Sequence, residues 1–400
     1  MSATDTTDQS TAKCPVLNFD YSEHKPVGTW IQTYDELREQ FPWYRNDFAN
    51  GFWTMINHEG ILEILQSPET FSSSVVTALD PNPSYKWIPE MLDGEEHLQW
   101  RKQLGPLFSP KQTELLDGKV RQRAIELIDA IKDKGSCDFM ADFAQQFPTS
   151  IFLELIGLPV EELDQFMEWE HAILHTPRGP EGQAGRLAAM GAVMNRFSQV
   201  VADRRVEPKD DIVSKAMKFE VDGKPVTDED LLSFCLLMFM AGMDTVSVTL
   251  GWSFYHMATN QADRERIVAE PELIPTAIEE FVRAYAIVAP ARKVMKDVEI
   301  QGCPMKAGDM VNIPLVASTR DTAEFEDAHT VKIDRSPNNH IAFGAGPHRC
   351  LGSHLARREL KIGLEEWHKR IPNYRLADGT ELMETGGQLG LTTLPLVWDV

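Results

Sequence analysis

The chain predicts a mostly α protein with small peripheral β-sheets. Three observations carry that expectation. Apolar residues recur at helical spacing from Glu95 to Arg205, from Thr227 to Arg283, and again at Leu360, Leu364, Trp367 and Ile371. The segment Leu231 to Met240 is apolar almost all round, as in a helix buried in a core. Strand-like runs are few and short: Phe52-Trp53-Thr54-Met55-Ile56, Asp309-Met310-Val311-Asn312-Ile313 and Leu394-Pro395-Leu396-Val397-Trp398.

The N-terminal stretch, Met1 to Lys13, is polar and rich in Ser and Thr, so a frayed tail is expected through residue 18. It has no basic segment followed by an apolar run, so no secretory signal is expected. The longest apolar stretch noted, Leu236 to Met243, falls far short of a membrane span. A net charge of −22 repels phosphate backbones and anionic lipid, which argues against nucleic-acid and membrane partners. Cys14, Cys137, Cys235, Cys303 and Cys350 are odd in number and scattered, without a Cys-x-x-Cys pair. They fit a reducing cytoplasm better than a disulfide framework or a zinc site. Cys14 is the one expected to be oxidisable. No linker, repeat or low-complexity segment divides the chain.

The central helix begins at Thr227-Asp228-Glu229-Asp230, a capping-box pattern, and no proline interrupts it before about Asn260. At 1.5 Å per residue, about 30 residues span ~45 Å, enough to cross a domain. In its middle lies Ala241-Gly242-Met243-Asp244-Thr245. A glycine costs a helix interior about 1 kcal/mol relative to alanine. A buried aspartate costs more unless it has a partner. Two local penalties at one point mark a functional site. The plainer reading stays open on these residues alone: Thr245 bonds back to a carbonyl one turn earlier, and Asp244 is a structural ion-pair partner.

Three further patterns carry charge or sulfur. Glu280 and Arg283 share one helix face at a spacing of three. His97 and Arg101 stand one helical turn apart, although a lone histidine there is more simply a surface residue. Near the C-terminus the chain reads Phe343-Gly344-Ala345-Gly346-Pro347-His348-Arg349-Cys350-Leu351-Gly352, followed by a helical pattern. Gly344 and Gly346 let this loop turn tightly. A helix start just after Cys350 offers N–H groups and a positive dipole end to the sulfur. One cysteine so placed is able to hold a metal by a single thiolate.

The spacing Phe-x-x-Gly-x-His-x-Cys-x-Gly, at Phe343, Gly346, His348, Cys350 and Gly352, resembles the haem-binding loop of the cytochrome P450 superfamily. The resemblance runs from about Phe41 to Trp398. It implies one haem-thiolate domain of cytochrome P450 fold over residues 19–400, holding heme b by an axial thiolate from Cys350. A thiolate ligand pushes electron density onto iron and favours O–O cleavage. Phe343 then shields the sulfur, and Gly352 lets the helix approach a flat macrocycle. Ala241 and Gly242 open a groove for O2, and Asp244 with Thr245 matches the family's acid–alcohol pair for proton delivery. His97, Arg101, Arg292 and His348 match propionate-binding positions. Glu280, Arg283 and Arg335 match a buried network that supports folding and haem loading.

Within the superfamily, Tyr85-Lys86-Trp87-Ile88-Pro89, His354-Leu355-Ala356-Arg357-Arg358-Glu359 and the tail Leu394 to Trp398 look like the bacterial camphor-hydroxylase branch. Pro290 departs from it, where an acidic residue lies near a propionate. Expected pocket residues are Val76, Tyr85, Trp87, Leu237, Met240, Val288, Gly387 and Gln388, with Tyr85 and Gln388 as donors. Each is equally compatible with plain core packing. Such a pocket suits a small hydrophobic molecule bearing one oxygen, a terpenoid or norisoprenoid. The loop His175 to Gly182, rich in Pro and Gly, is the expected substrate lid. Arg349, Arg357, Arg358 and Lys361, joined by Lys102 and Lys111, form a basic patch on an acidic protein. It is the expected docking face for an iron–sulfur ferredoxin, itself served by a reductase. The implied activity is O2-dependent monooxygenation by a soluble, cytoplasmic, monomeric enzyme. A peroxide-driven peroxygenase and a non-catalytic haem gas sensor are the alternatives. The acid–alcohol pair argues against the first, and the lack of any appended signalling segment argues against the second.

Overall fold

The structure, a computed structural model, describes residues 15–176 and 180–400. Cys14 and residues 177–179 of the expected lid lie outside the described residues. Of the expected tail through residue 18, residues 1–14 lie outside the described residues, and Val16 and Leu17 form a strand. They pair in parallel with Arg45 and Asn46, which satisfies backbone groups that a frayed segment would leave to water.

Helices dominate and sheets are peripheral. One six-stranded sheet contains β1 (Val16–Leu17), β2 (Trp43–Asn46), β3 (Phe52–Met55), β4 (Phe71–Ser72), β5 (Ala291–Val294) and β6 (Met310–Asn312) in the order β1-β2-β3-β6-β5-β4. Two of the three predicted strands meet here, β3 and β6, in parallel with Val311 opposite Trp53. On its other side β6 runs antiparallel to β5 and sets Val311 opposite Arg292. The third predicted strand, Pro395–Val397, pairs with Arg375–Leu376 and Ser136–Asp138.

The helices that position the site are, in chain order, α1 (Gly94–Leu104), α2 (Gln146–Ile156), α3 (Leu163–Leu174), α4 (Pro180–Val206), α5 (Asp228–Thr259), α6 (Ile274–Ala284) and α7 (Ser353–Arg370). The predicted capping box starts α5. Thr227 Oγ1 accepts from the Asp230 amide at 3.1 Å, and the Thr227 amide donates to Asp230 Oδ2 at 2.9 Å. The 32-residue α5 passes through two hydrophobic cores. Leu231 to Met243 pack with Trp100, Phe152, Phe166 and Phe197. Val246 to Met257 pack with Phe139, Phe143 and Trp367. Full burial of each such side chain is worth roughly 1.5–3 kcal/mol. Between the two cores fall Asp244 and Thr245, so both ends of the helix are pinned and its middle is held in place.

By length and composition α5 is able to cross a membrane, but most of its apolar stretch is buried inside the protein, as in a core helix. The expectation that no segment reaches that length rests on Leu236 to Met243 alone.

Glu280 sits on α6 at the centre of the expected ionic network. Arg283 Nε and Nη2 donate to its two oxygens at 2.7 and 2.8 Å, and Arg335 Nε donates at 2.9 Å. The Lys332 amide and Asn338 Nδ2 add two more donors. Arg283 spends a further nitrogen on the carbonyls of Thr319 and Ala328. Glu280 and Arg283 are both fully buried. Removing one member of such a set leaves a bare buried charge, at a cost of about 3–5 kcal/mol.

Candidate active site

One cavity of about 1830 Å³ lies between α5, the Cys350 loop and β5. Its lining includes Cys350, Phe343, Gly352, His97, Arg101, Arg292, His348, Ala241, Gly242, Asp244 and Thr245. Residues far apart in sequence are thus gathered on one space. All eight expected pocket residues line it as well: Val76, Tyr85, Trp87, Leu237, Met240, Val288, Gly387 and Gln388.

The sulfur loop is built by backbone hydrogen bonds. The Cys350 amide donates to Phe343 O at 2.8 Å, and the Gly344 amide to Ile341 O at 2.8 Å. Gly346 has a φ of 68°, and a Cβ there would stand 2.3 Å from Leu65 O. Only glycine fits this close approach. Phe343 lies under the Arg357 guanidinium at 4.3 Å, and Arg357 is itself clamped by Glu279 at 2.6 and 2.8 Å. Cys350 is exposed and lines the cavity. Burial still pushes its thiol up, against the Gly352 amide and the charges of Arg101 and Arg349, which pull it down.

Four expected propionate partners, Arg292, Arg101, His97 and His348, line one cavity. Arg292 is buried, and its Nη1 donates to Ala291 O, a neighbour in its own strand. Burial opposes its charge, and Glu90 and Asp93 oppose that effect. Arg101 Nη2 donates to Arg349 O at 2.6 Å, tying α1 to the sulfur loop. His97 and His348 stack with ring centroids 3.9 Å apart. Burial and nearby arginines lower His97 to about 4 and His348 to about 2. Both ring nitrogens of His348 are buried, and among the described residues they have no hydrogen-bond partner.

These observations test the fit of haem, the group the resemblance implies. The wall offers two guanidinium groups and an orphaned imidazole, a donor set for two carboxylates. A Cβ added to Gly352 would meet nothing within 4 Å, so open space of the kind a flat macrocycle fills lies over the helix start. Ala241 is exposed in the middle of an otherwise buried helix because the cavity faces it. The residues fit the group.

Elsewhere on the lining, the structure adds partners that sequence reasoning missed. Thr245 Oγ1 donates to Ala241 O at 3.0 Å, the one-turn back-bond that the residues left open. Asp244 is 3% exposed. Its Oδ1 lies 3.4 Å from His175 Nε2, and among the described residues its Oδ2 has no hydrogen-bond partner. His175 Nε2 also lies 3.3 Å from Glu170 Oε1. Burial would lower His175, but Asp244 and Glu170 outweigh it and push the imidazole up to about 10. Burial raises Glu170 to about 7, with His175 pulling down and Asp244 pushing up. A third buried carboxyl, Glu359 on α7, lines the cavity with Oε2 unpartnered among the described residues, and burial holds it well above the carboxylate range.

The polar groups of the pocket are also placed. Gln388 Nε2 and Trp87 Nε1 are buried without partners. Burial, then Asp80, raises the Tyr85 phenol to about 12, so it stays a donor at working pH.

The expected docking cations divide into two groups. Arg357 is paired with Glu279, Arg358 with Asp117 and Glu114, and Lys361 with Glu365. Lys102, Lys111 and Arg349 are exposed, and among the described residues they have no ion-pair partner.

Comparison with known proteins follows the same lines. A family profile described as "Cytochrome P450" matches residues 189–370. "Probable cytochrome P450 127A1" of Sinorhizobium fredii is 36% identical over 354 residues, covering 88% of this chain and 84% of its own. "Mycinamicin IV hydroxylase/epoxidase" of Micromonospora griseorubida is 31% identical and covers 91% of this chain and 94% of its own. Among solved structures, CYP101J2 superposes with a TM-score of 0.88 at 32% identity, covering 96% of this chain and 97% of that one. CYP101C1 gives a TM-score of 0.88 at 28% identity, covering 98% and 100%.

Proposed function

Since this chain belongs to the cytochrome P450 family, haem-thiolate enzymes that incorporate oxygen from O2, we propose that it hydroxylates a small hydrophobic, oxygen-bearing molecule with electrons from a ferredoxin. The observation that carries the reading is convergence: the Cys350 sulfur, the Asp244–Thr245 pair and a pocket with buried unpartnered donors share one cavity. When bound, haem supplies O2 activation, favoured by thiolate donation.

The chain's own residues do the rest. Arg101, Arg292, His97 and His348 hold the macrocycle's carboxylates, and Cys350 holds its metal. Phe343, braced by Arg357, keeps water from the sulfur. Thr245, whose proton is committed to Ala241 O, offers its oxygen lone pairs to the cavity and so fixes a proton-carrying water there. Asp244 passes protons to that position through Oδ2. Tyr85, Trp87 and Gln388 anchor substrate oxygen, and Val76, Leu237, Met240 and Val288 enclose its carbon skeleton. A terpenoid or norisoprenoid satisfies both demands. Lys102, Lys111 and Arg349 offer the acidic ferredoxin its contact.

The test has two arms. A terpenoid panel is screened for a substrate-induced spin-state shift in the haem spectrum. Ligands that shift it are then incubated with reductase, ferredoxin and O2, or with peroxide alone. The reading expects hydroxylated product in the first incubation. Product formed equally well from peroxide alone, with none from the ferredoxin system, would make the chain a peroxygenase.

A further inference from the structure

The pair Asp244 and Thr245 says nothing of how a buried acid is reloaded after it gives up a proton. Asp244 comes from the middle of α5, Glu170 from α3, and His175 from the residue after α3 ends. Folding brings one imidazole nitrogen and one oxygen from each carboxyl group within 4.8 Å of one another. Resting on the monooxygenase reading above, we infer that Glu170 is the proton store that reloads Asp244, with His175 as the fixed cation that holds the two carboxyl groups together.

Charge counting supports this. Two bare carboxylates this close in a buried site repel strongly. His175 offsets one negative charge. The second is removed most simply by a proton on one carboxyl group, and burial favours that proton on Glu170 at neutral pH. A structural ion pair would need one carboxylate, and here there are two. The His175 Nε2–H faces both oxygens at 3.3 and 3.4 Å, longer than a committed charged hydrogen bond, so it bridges them without capturing either. Among the described residues, His171 on α3 neighbours His175 and is neutral-leaning through burial and that neighbour, and Arg186 on α4 donates to Thr176 O, one residue beyond His175.

The transfer balances without any further reactant. The Glu170 O–H bond breaks as an Asp244 O–H bond forms, leaving Glu170 as carboxylate and Asp244 as carboxylic acid. Asp244 releases that proton to water in the cavity through Oδ2. Glu170 then takes a proton from solvent on the α3 side, where His171 is exposed. Glu170 and His175 act through Asp244 and are positioning residues for it.

The test begins with a readout that needs no turnover. Infrared difference spectra of the ferric holoenzyme between pH 5.5 and 8.5 should show a protonated-carboxyl band that titrates with a midpoint near 7. Glu170→Gln removes the band. His175→Ala moves its midpoint up, and Asp244→Asn moves it down. In turnover, Glu170→Gln should lower kcat by roughly 10²-fold, within the range for a lost proton-transfer group. It should also abolish the fall of kcat above neutral pH and leave the substrate-induced spin shift unchanged. Persistence of the band in Glu170→Gln, or an unaltered pH profile, overturns the inference. If Glu170→Gln takes up no haem, Glu170→Asp keeps an acid at the site and must keep a shifted band. Failure of product formation in wild type would sink the monooxygenase reading while leaving the infrared result to judge the store by itself.

Discussion

On the sulfur side of the cavity, ten consecutive residues carry the ligand, its turns and its shield. Elsewhere on its lining, an acid from α5 and an imidazole from the turn after α3 meet only after folding, joined by a carboxyl group from α3. The first wall is held by backbone bonds within the loop and by a glycine that touches Leu65 O. The second is held by charge, with one cation between two carboxyl groups. A wall fixed by backbone sterics tolerates little change in its residues. A wall fixed by charge tolerates changes in sequence but responds to protons. The difference suits the roles proposed for the two sides, rigid cofactor holding for one and proton handling for the other.

The largest effect should come from the rigid wall. Cys350→His replaces the sulfur with a neutral nitrogen and removes the electron push. The reduced carbon-monoxide complex should lose its red-shifted thiolate absorption, and turnover should vanish. A variant that retains the thiolate-type spectrum would remove Cys350 as the ligand.

The second wall should fail differently. Thr245→Ala keeps Cys350, the propionate cations and the pocket, so haem and substrate should bind as before. What it removes is the oxygen that fixes a proton carrier. Electrons should still be consumed, but product per electron should fall about tenfold, with the balance released as peroxide. Unchanged coupling would return Thr245 to the plain back-bonding role seen in its contact with Ala241 O.

This contrast also explains what was legible in the sequence. The Cys350 loop is a local pattern, so spacing alone identifies it. The cap of α5 and the three strands are equally local, and each formed within a residue or so of its expected bounds. Glu280 and Arg283 share a helical face, so their pairing was readable, while Arg335 came from the family resemblance. His175 and Glu170 carried no such signal. They stand five apart around the end of a helix, and their partner lies on a distant one. Glu359 was within reach: it borders the apolar stripe of Leu360 and Leu364 on α7, where a carboxyl group is out of place. The docking cations were readable as a cluster, but not which of them Glu279, Asp117 and Glu365 neutralise.

The stiffness of the sulfur wall has a pH signature. Burial alone would raise Glu279, but Arg357 and His340 outweigh it and lower it from 4.5 to about 2. A carboxyl group lowered on folding stabilises the fold above its unfolded value and loses that contribution as pH falls through its folded value. Glu279 should therefore contribute fully above pH 4.5 and lose its contribution between 4.5 and about 2. With partial solvent screening this is worth about 1–3 kcal/mol. Urea unfolding of wild type and Glu279→Gln should differ by that amount at pH 7, and the gap should narrow below pH 4.5. A gap that stays constant down to pH 3.5 would separate the clamp on Arg357 from the stability of the loop.

The smallest effect concerns the outer surface of the same wall, where a ferredoxin is proposed to dock. Lys102, Lys111 and Arg349 present unbalanced positive charge, whereas Arg358 is balanced by Asp117 at 2.8 Å. At long range an ion pair contributes little field, so a partner should sense the unbalanced cations. Lys111→Glu reverses one such charge on an exposed residue that does not line the cavity. A change of two charges at roughly 10 Å in water alters the encounter energy by less than 1 kcal/mol, so first-electron reduction should slow about two- to fivefold at low salt. The difference should close above ~0.1 M salt, where the screening length falls to about 10 Å. The double variant Arg358→Gln with Asp117→Asn removes both halves of a neutral pair and should reduce at the wild-type rate with the wild-type salt slope. If Lys111→Glu matches wild type while the neutral-pair variant slows, docking depends on the Arg358 guanidinium itself and not on the net field.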